Sequence, residues 1–477
     1  MRSLGATLVA GAGSAPGGIA TVVAAPDRRG RARHARMGLL LFLCGLLLCG
    51  CAREWEGTRT VEDGVVWVRN PAAPLAPPQS LEMHECWRLP SESPSGELRF
   101  GAIADLQQDE RGVTYLLDSQ LGAIHLVSPD GHYLRSIGRQ GEGPGEFQWP
   151  MGLVLGRAEE RIGVLDAVGH KIVFLDRQGV PGETWRAAGF EEGVRFSPLY
   201  AWEVPAGKLI VYQTRERDGR LITFGDAIGL FGQDHALRHT LTEKSRVHHL
   251  DEAFLFDEVA AESFSFLGVR DDGTLYLAPR FDEYRIEVYD PRGALTMVIE
   301  RPIAPVARTG EQIADLRASW SAFYERVRDL ELRISPDRRV ILALRPRPAG
   351  ALWVETSRGW ADAAGGTAVI FDEIDAQGRF VRQVALRGEI DPWNDYIYLF
   401  GDRLLRLTSG FEATQGALGA SRGEQDAHGD QASSSGADEA SAGSGNDASA
   451  ASGSEAPAAG SGGAPALICY DLVPVAP

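Results

Sequence analysis

An all-β chain of repeated strand meanders is the fold class this sequence predicts, and two observations carry that expectation. The stretch GVTYLLDSQLGAIHLVSPDGHYLRSIG, from Gly112, is echoed by RIGVLDAVGHKIVFLDRQGVPGETW, from Arg161. Asp118, Ile124 and Gly131 thus recur as Asp166, Ile172 and Gly179, each 48 residues later. The 56 glycines and 26 prolines supply the many turns that short strands need.

Looser copies follow. RDDGTLYLAPRFDEYRIEVYDPRGAL, from Arg270, sets Gly273, Tyr276, Ile286 and Gly293 where the first unit has Gly112, Tyr115, Ile124 and Gly131. GKLIVYQTRERDGRLITFGDAIGLFGQDHAL, from Gly207, keeps the strands with a longer central turn. GALWVETSRG with TAVIFDEIDAQGRFVRQVAL makes a fifth unit, and DYIYLFGDRLLRLTSG with APALICYDLVPV a sixth. A unit of four short strands cannot bury both faces alone and must stack around an axis, so six of them predict a six-bladed β-propeller. The patterns DxxGxxY, RIxVYDxxG and GxGPGEF resemble the six-bladed propellers with NHL-like repeats over roughly residues 80–475, one insert apart. The bacterial lipoproteins of that family mostly lack an assigned function, so the resemblance implies a fold more than an activity.

A ring needs its first and last blades joined, because an open strand edge invites aggregation. LEMHECWRLP, Leu81 to Pro90, reads as an N-terminal strand that joins the final blade beside ALICYDLVPV from the C-terminal end. The propeller then covers 81–477 and is closed by N-terminal and C-terminal strands in one blade. Cys86 and Cys469 would lie on neighbouring strands. A disulfide between them would lock the ring with about 5 kcal/mol of chain entropy; two buried free thiols are the alternative.

The first fifty residues read as a removable signal. Arg28, Arg29, Arg31, Arg33 and Arg36 precede the apolar run MGLLLFLCGLLLCG, which is shorter than the ~20 residues a membrane span needs. Its end, LCGC from Leu48 to Cys51, resembles the bacterial lipobox, which implies acylation of Cys51 at a new N-terminus, with 51–80 as an anchor linker. The residue after the cysteine is Ala52 rather than aspartate, which implies sorting to the outer membrane, facing the periplasm or the exterior. Residues 1–50 carry six arginines and one aspartate, so their loss takes the net charge from -17 to -17 - 5 = -22. Such a chain repels phosphate backbones, and nucleic acid is excluded as a partner.

Two segments depart from the repeat. In TGEQIADLRASWSAFYERVRDLELRIS, Thr309 and Gln312 form a capping box, and apolar residues recur at helical spacing from Ile313 to Leu330, predicting one inserted amphipathic helix over 309–332. Residues 411–465 are rich in Gly, Ser and Ala, acidic and almost free of large apolar residues, which predicts a disordered loop extruded from the sixth blade.

Chemistry is sparse. Asp105, Glu203 and Asn394 are scattered polar candidates on or near inner strands, and a side chain that satisfies a turn or a cap is the better reading of each. His235, His239, His248 and His249, with Asp251, are weak metal candidates in what reads as an inter-blade connection. In GRQGEGPGEFQWP, Gly141, Gly143, Pro144, Gly145 and Phe147 mimic a phosphate loop. No Lys-Ser or Lys-Thr follows, and Pro144 lacks an N–H, so the stretch reads as a structural turn between blades. No cofactor is expected. A monomeric, lipid-anchored scaffold for another envelope protein or a small extracellular ligand is the leading function. A metal-dependent hydrolase or lyase at the channel is an alternative. A carbohydrate or cell-wall binder, which would need exposed Trp149, Trp185 or Trp202, is another.

Overall fold

The computed structural model describes residues 54–92, 98–156, 160–190, 193–261, 266–324, 329–391, 394–410 and 465–475, all within one compact unit, Glu54–Pro477. The expected signal, Cys51 and, apart from Pro465, the acidic loop lie outside these residues.

The chain opens with a hairpin of β1 (Thr58–Glu62) and β2 (Val65–Arg69), followed by the long strand β3 (Gln79–Pro90). The first blade is β4 (Ile103–Gln108), β5 (Thr114–Asp118), β6 (Ala123–Val127) and β7 (Tyr133–Ile137). Two-residue strands β8 (Arg139–Gln140) and β9 (Glu146–Phe147) lead to the second, β10 (Pro150–Leu155), β11 (Arg161–Asp166), β12 (Lys171–Asp176) and β13 (Pro181–Trp185). The third has longer strands, β14 (Arg195–Val204), β15 (Gly207–Asp218), β16 (Leu221–Phe231) and β17 (Leu237–His249). After β18 (Phe254–Asp257) and α1 (Glu258–Ala261) comes the fourth, β19 (Leu267–Val269), β20 (Leu275–Leu277), β21 (Arg285–Tyr289) and β22 (Leu295–Glu300). Helix α2 (Gly310–Phe323) and β23 (Leu330–Arg333) precede the fifth, β24 (Ile341–Pro346), β25 (Leu352–Thr356), β26 (Thr367–Ile374) and β27 (Phe380–Arg387). The last quartet is β28 (Tyr396–Phe400), β29 (Arg403–Thr408), β30 (Ala466–Pro474) and β3, which pairs antiparallel with β30 and parallel with β27.

The period of two explains why these strands are apolar almost throughout. Side chains alternate between faces, and here both faces are covered. On β15, Ile210 and Tyr212 enter the core shared with the second blade, while Leu209 and Val211 enter the core shared with the fourth. The core is therefore divided into layers between blades. Clusters join blades one and two, two and three, three and four, four and five, five and six, and six and one.

The repeated glycines mark one turn. Asp109, Asp176, Asp290 and Asp375 each accept two main-chain N–H bonds of 2.8–2.9 Å, from the residues two and four positions on. The residue three positions on is Gly112, Gly179, Gly293 or Gly378, at φ of 79, 87, 89 and 83°. Only glycine adopts that left-handed backbone freely, so the glycine recurs with the turn, also at Gly131 and Gly273, where Ser128 and Arg270 stand in the place of the aspartate.

Two segments differ from expectation. The helix stops at Phe323, and Leu330–Arg333 is a strand that pairs parallel with β18. Its alternating LELR suits a strand, and Asp329 at φ 57° breaks any helical path into it. The expected linker 51–80 is largely structured. β2 lies parallel to β22 on the outer side of the fourth blade, and Leu75 and Ala76 bond to Phe380 and Val381.

Candidate functional site

The polar candidates of the sequence lie apart, each with its own partners. Asp105, on β4, accepts from the N–H of Leu106 at 2.7 Å and of Leu153, on the neighbouring inner strand, at 2.8 Å. Burial pushes its carboxyl above the ordinary value, against those bonds. Glu203, on β14, pairs with Arg161 and, at 3.6 Å, with the buried Lys208, whose pKa burial lowers. Asn394 donates to Asp391 at 3.0 Å.

The histidines require a correction. His239, His248 and His249 lie within β17, the outer strand of the third blade, rather than in a connection between blades. At about 3.4 Å per residue, His239 and His248 are roughly 30 Å apart along that strand. His235 packs at 5.5 Å on Trp185. Trp185 itself is fully buried, which removes it as a sugar platform. Among the described residues no group of three or more His, Cys, Asp or Glu could hold a metal ion.

The glycine-rich stretch is tied down locally. Glu146 accepts from the Gly143 N–H at 2.9 Å and pairs with Arg139, and these hold its carboxyl below the usual range. Phe147 is fully buried in the core between blades one and two. Gln148 and Trp149 donate their N–H groups to Asp166 at 3.2 and 2.8 Å, which anchors entry to β10. Cys86 and Cys469, on paired strands β3 and β30, are free thiols. Cys86 occupies a bulge between Glu85 and Trp87, and Cys469 lies opposite Trp87.

A serine–histidine–aspartate row exists in the first blade. Ser136 Oγ lies 2.7 Å from His125 Nδ1, and His125 Nε2 lies 3.6 Å from Asp118 Oδ2. The aspartate is already used by the N–H groups of Gly101, Gln120 and Leu121, each at 2.9 Å, so it anchors turns rather than orienting a base. The last link is also too long for a hydrogen bond.

The stronger site is an open cleft of about 370 Å³ where the N-terminal hairpin meets blades four and five. Asn70, at the end of β2, forms its anchor. The amide donates to Gly378 O at 2.9 Å and accepts from Phe380 N at 2.7 Å and Trp55 Nε1 at 3.1 Å. Arg301 forms the floor, ion-paired to the buried Asp372, bonded to Ala72 O at 3.1 Å and 3.9 Å over the Phe380 ring. Burial pushes the Asp372 carboxyl up, against the pull of Arg301. Tyr284 lies beside this pair, and burial, with the Asp372 carboxylate next to it, raises the pKa of its hydroxyl well above that of a free phenol. Arg69, Arg285 and Glu300 line the wall, and Asp282 and Glu283 stand exposed at the lip. The lining thus holds three arginines and three carboxylates, a set suited to polar ligands of mixed charge.

Residues 97–221, from before the first blade to the third, match a family described as a 6-bladed beta-propeller. The chain is a β-propeller. Among solved structures the propeller is similar to virginiamycin B lyase from Staphylococcus aureus, at 13% identity over 69% of this chain and 82% of that one, with a TM-score of 0.33. A Bacteroides fragilis protein is similar at 9% identity over 83% and 99%, with a TM-score of 0.40. A luciferin-regenerating enzyme is similar at 12% identity over 65% and 85%, with a TM-score of 0.32. Likenesses this distant concern the backbone alone. No curated protein matches the chain.

Sequence reasoning missed the cleft because it treated the N-terminal hairpin as linker. A signal was present. TRTVE and VVWVR flank Asp63-Gly64, a two-residue loop at φ 51 and 83°, and Asp-Gly between alternating runs is a strong hairpin signal. Nothing in the sequence indicated that this hairpin would dock on the fourth blade.

Proposed function

We propose that this propeller is a membrane-anchored lipoprotein of the cell envelope, acylated at Cys51, that serves as a non-catalytic binding scaffold. Another envelope protein or a small extracellular ligand is its partner. The finer fold reading belongs to the same proposal: NHL-like repeats, a monomeric ring closed in its sixth blade by β3 and β30, and α2 as an insert packed on the ring. Cores that run cyclically from blade one to blade six and back support the ring. The capping box of Thr309 and Gln312, with bonds of 3.2 and 2.8 Å, and the fully buried Leu316 support the packed helix.

The observation that carries the binding reading is the mixed-charge cleft beside Asn70. Thermal-shift measurements on the purified chain against carboxylates, amines, zwitterions and sugars test it. A saturable rise in melting temperature for one class, lost in Arg285→Gln, is expected. A flat response to every class would reject a small-ligand site there.

A further inference from the structure

The cleft's charges are not equally engaged. Arg69 is nearly used up, with bonds to Thr60 and Glu62 and a pairing to Glu300 at 3.3 Å. Arg285 differs. Its Nε and Nη2 donate to Glu287 at 3.3 and 3.2 Å, and its Nη1 lies 3.7 Å from Glu300, beyond hydrogen-bond range. A guanidinium has five N–H donors, so about three of them are left for a ligand. The group is also held in place, 5.0 Å over the ring of Trp67, which carries Arg69 at 5.1 Å as well. A fixed cation with spare donors suits a phosphate.

Opposite in charge and two to three residues away in sequence are Asp282 and Glu283. Both are exposed, and neither has a hydrogen bond or ion pair among the described residues. Two unengaged carboxylates lining the same cleft as a rigid guanidinium suit an ammonium group tethered to a phosphate. Asn70, which lines the cleft, is bonded to Trp55, four residues after Cys51 in sequence. Four extended residues span at most about 14 Å. On the lipoprotein reading, a bilayer surface is therefore within reach of this wall of the cleft.

We infer that the cleft binds the phosphoethanolamine head group of a membrane phospholipid, with phosphate on Arg285 and ammonium on Asp282 and Glu283. The inference rests on the lipoprotein reading for its membrane source. The site is stereochemically simple: one phosphate and one primary amine, each matched by a group that lacks a full set of partners.

Calorimetry with the intact chain tests it, using soluble glycerophosphoethanolamine, glycerol phosphate and ethanolamine as separate probes. The zwitterion should bind saturably and at least tenfold more tightly than either half. The double variant Asp282→Asn, Glu283→Gln should abolish that advantage while leaving weak binding of glycerol phosphate unchanged. Because those side chains are exposed and unpaired, circular dichroism should show the variant folded. Equal binding of a half molecule, or an unaffected double variant, would overturn the site. Vesicles of phosphatidylethanolamine, but not of phosphatidylglycerol, should compete with the soluble zwitterion; failure to compete would overturn the membrane source. Intact mass separates the two readings: an unacylated Cys51 rejects the lipoprotein assignment, whereas acylation without zwitterion binding rejects the cleft.

Discussion

At the scale of single residues, the repeated aspartates and glycines do one job and the buried carboxylates another. Gly179 sits at φ 87°, and a Cβ there would lie 3.0 Å from Cβ of Ile137 on the preceding blade. Gly179→Ala should therefore destabilise the fold by about 1–2 kcal/mol, read from the midpoint of urea unfolding; an unchanged midpoint would refute the turn argument. The pKa of Asp105 is shifted in the opposite direction to that of the ion-paired Glu146. Its folded pKa is raised above the ordinary 3.8 by burial, so the folded state holds the proton more tightly than the unfolded chain. Stability from this group is highest below 3.8 and falls as pH rises through the folded pKa. Asp105→Asn should flatten stability against pH in that window, and an identical slope in the variant would show that the carboxyl does not titrate there. Gly112, Gly131 and Gly179 were legible in the sequence because their backbone conformation admits few other residues. The role of Asp105 was not, since nothing in its neighbourhood reveals that Leu153 would meet it.

At the scale of elements, periodicity located the strands and local chemistry located their turns. It erred where a tertiary partner decided the outcome. The segment after α2 continues the apolar spacing of the helix, yet Leu330–Arg333 pairs with β18, whose residues lie 76 positions earlier in the chain. The segments on either side of the fourth blade, β18–α1 and α2–β23, form one small cap. Glu258 in α1 accepts from both Nη groups of Arg308 at 2.8 Å and from the Ser335 N–H at 2.8 Å, and Phe256 packs on Trp320 with ring centroids 4.4 Å apart and planes tilted by 35°. The arginine and glutamate side chains are almost wholly buried. Arg308→Ala leaves that carboxylate uncompensated, with an expected loss of about 3–5 kcal/mol. Hydrogen exchange should show the loss concentrated in α1, α2 and β23, and a uniform loss across all blades would contradict a separate cap.

At the scale of the whole molecule, the last blade joins residues far apart in the chain, β3 pairing with both β27 and β30. Cys469 is fully buried, and burial, with Cys86 beside it, pushes its thiol up to about 12. In the oxidising envelope proposed for this protein, the two thiols should be oxidised to a disulfide. Unfolding without reductant should then leave both unlabelled by maleimide, and labelling after unfolding alone would show that they stay reduced. The repeat, the turn residues and the all-β class were determined by the sequence alone, because each follows from local backbone preference and a period of two. The docked N-terminal hairpin, the strand after α2 and the cleft were decided only by tertiary structure. Their partners lie on other blades, and no local pattern in the chain specifies which surface a strand edge or a charged side chain will meet.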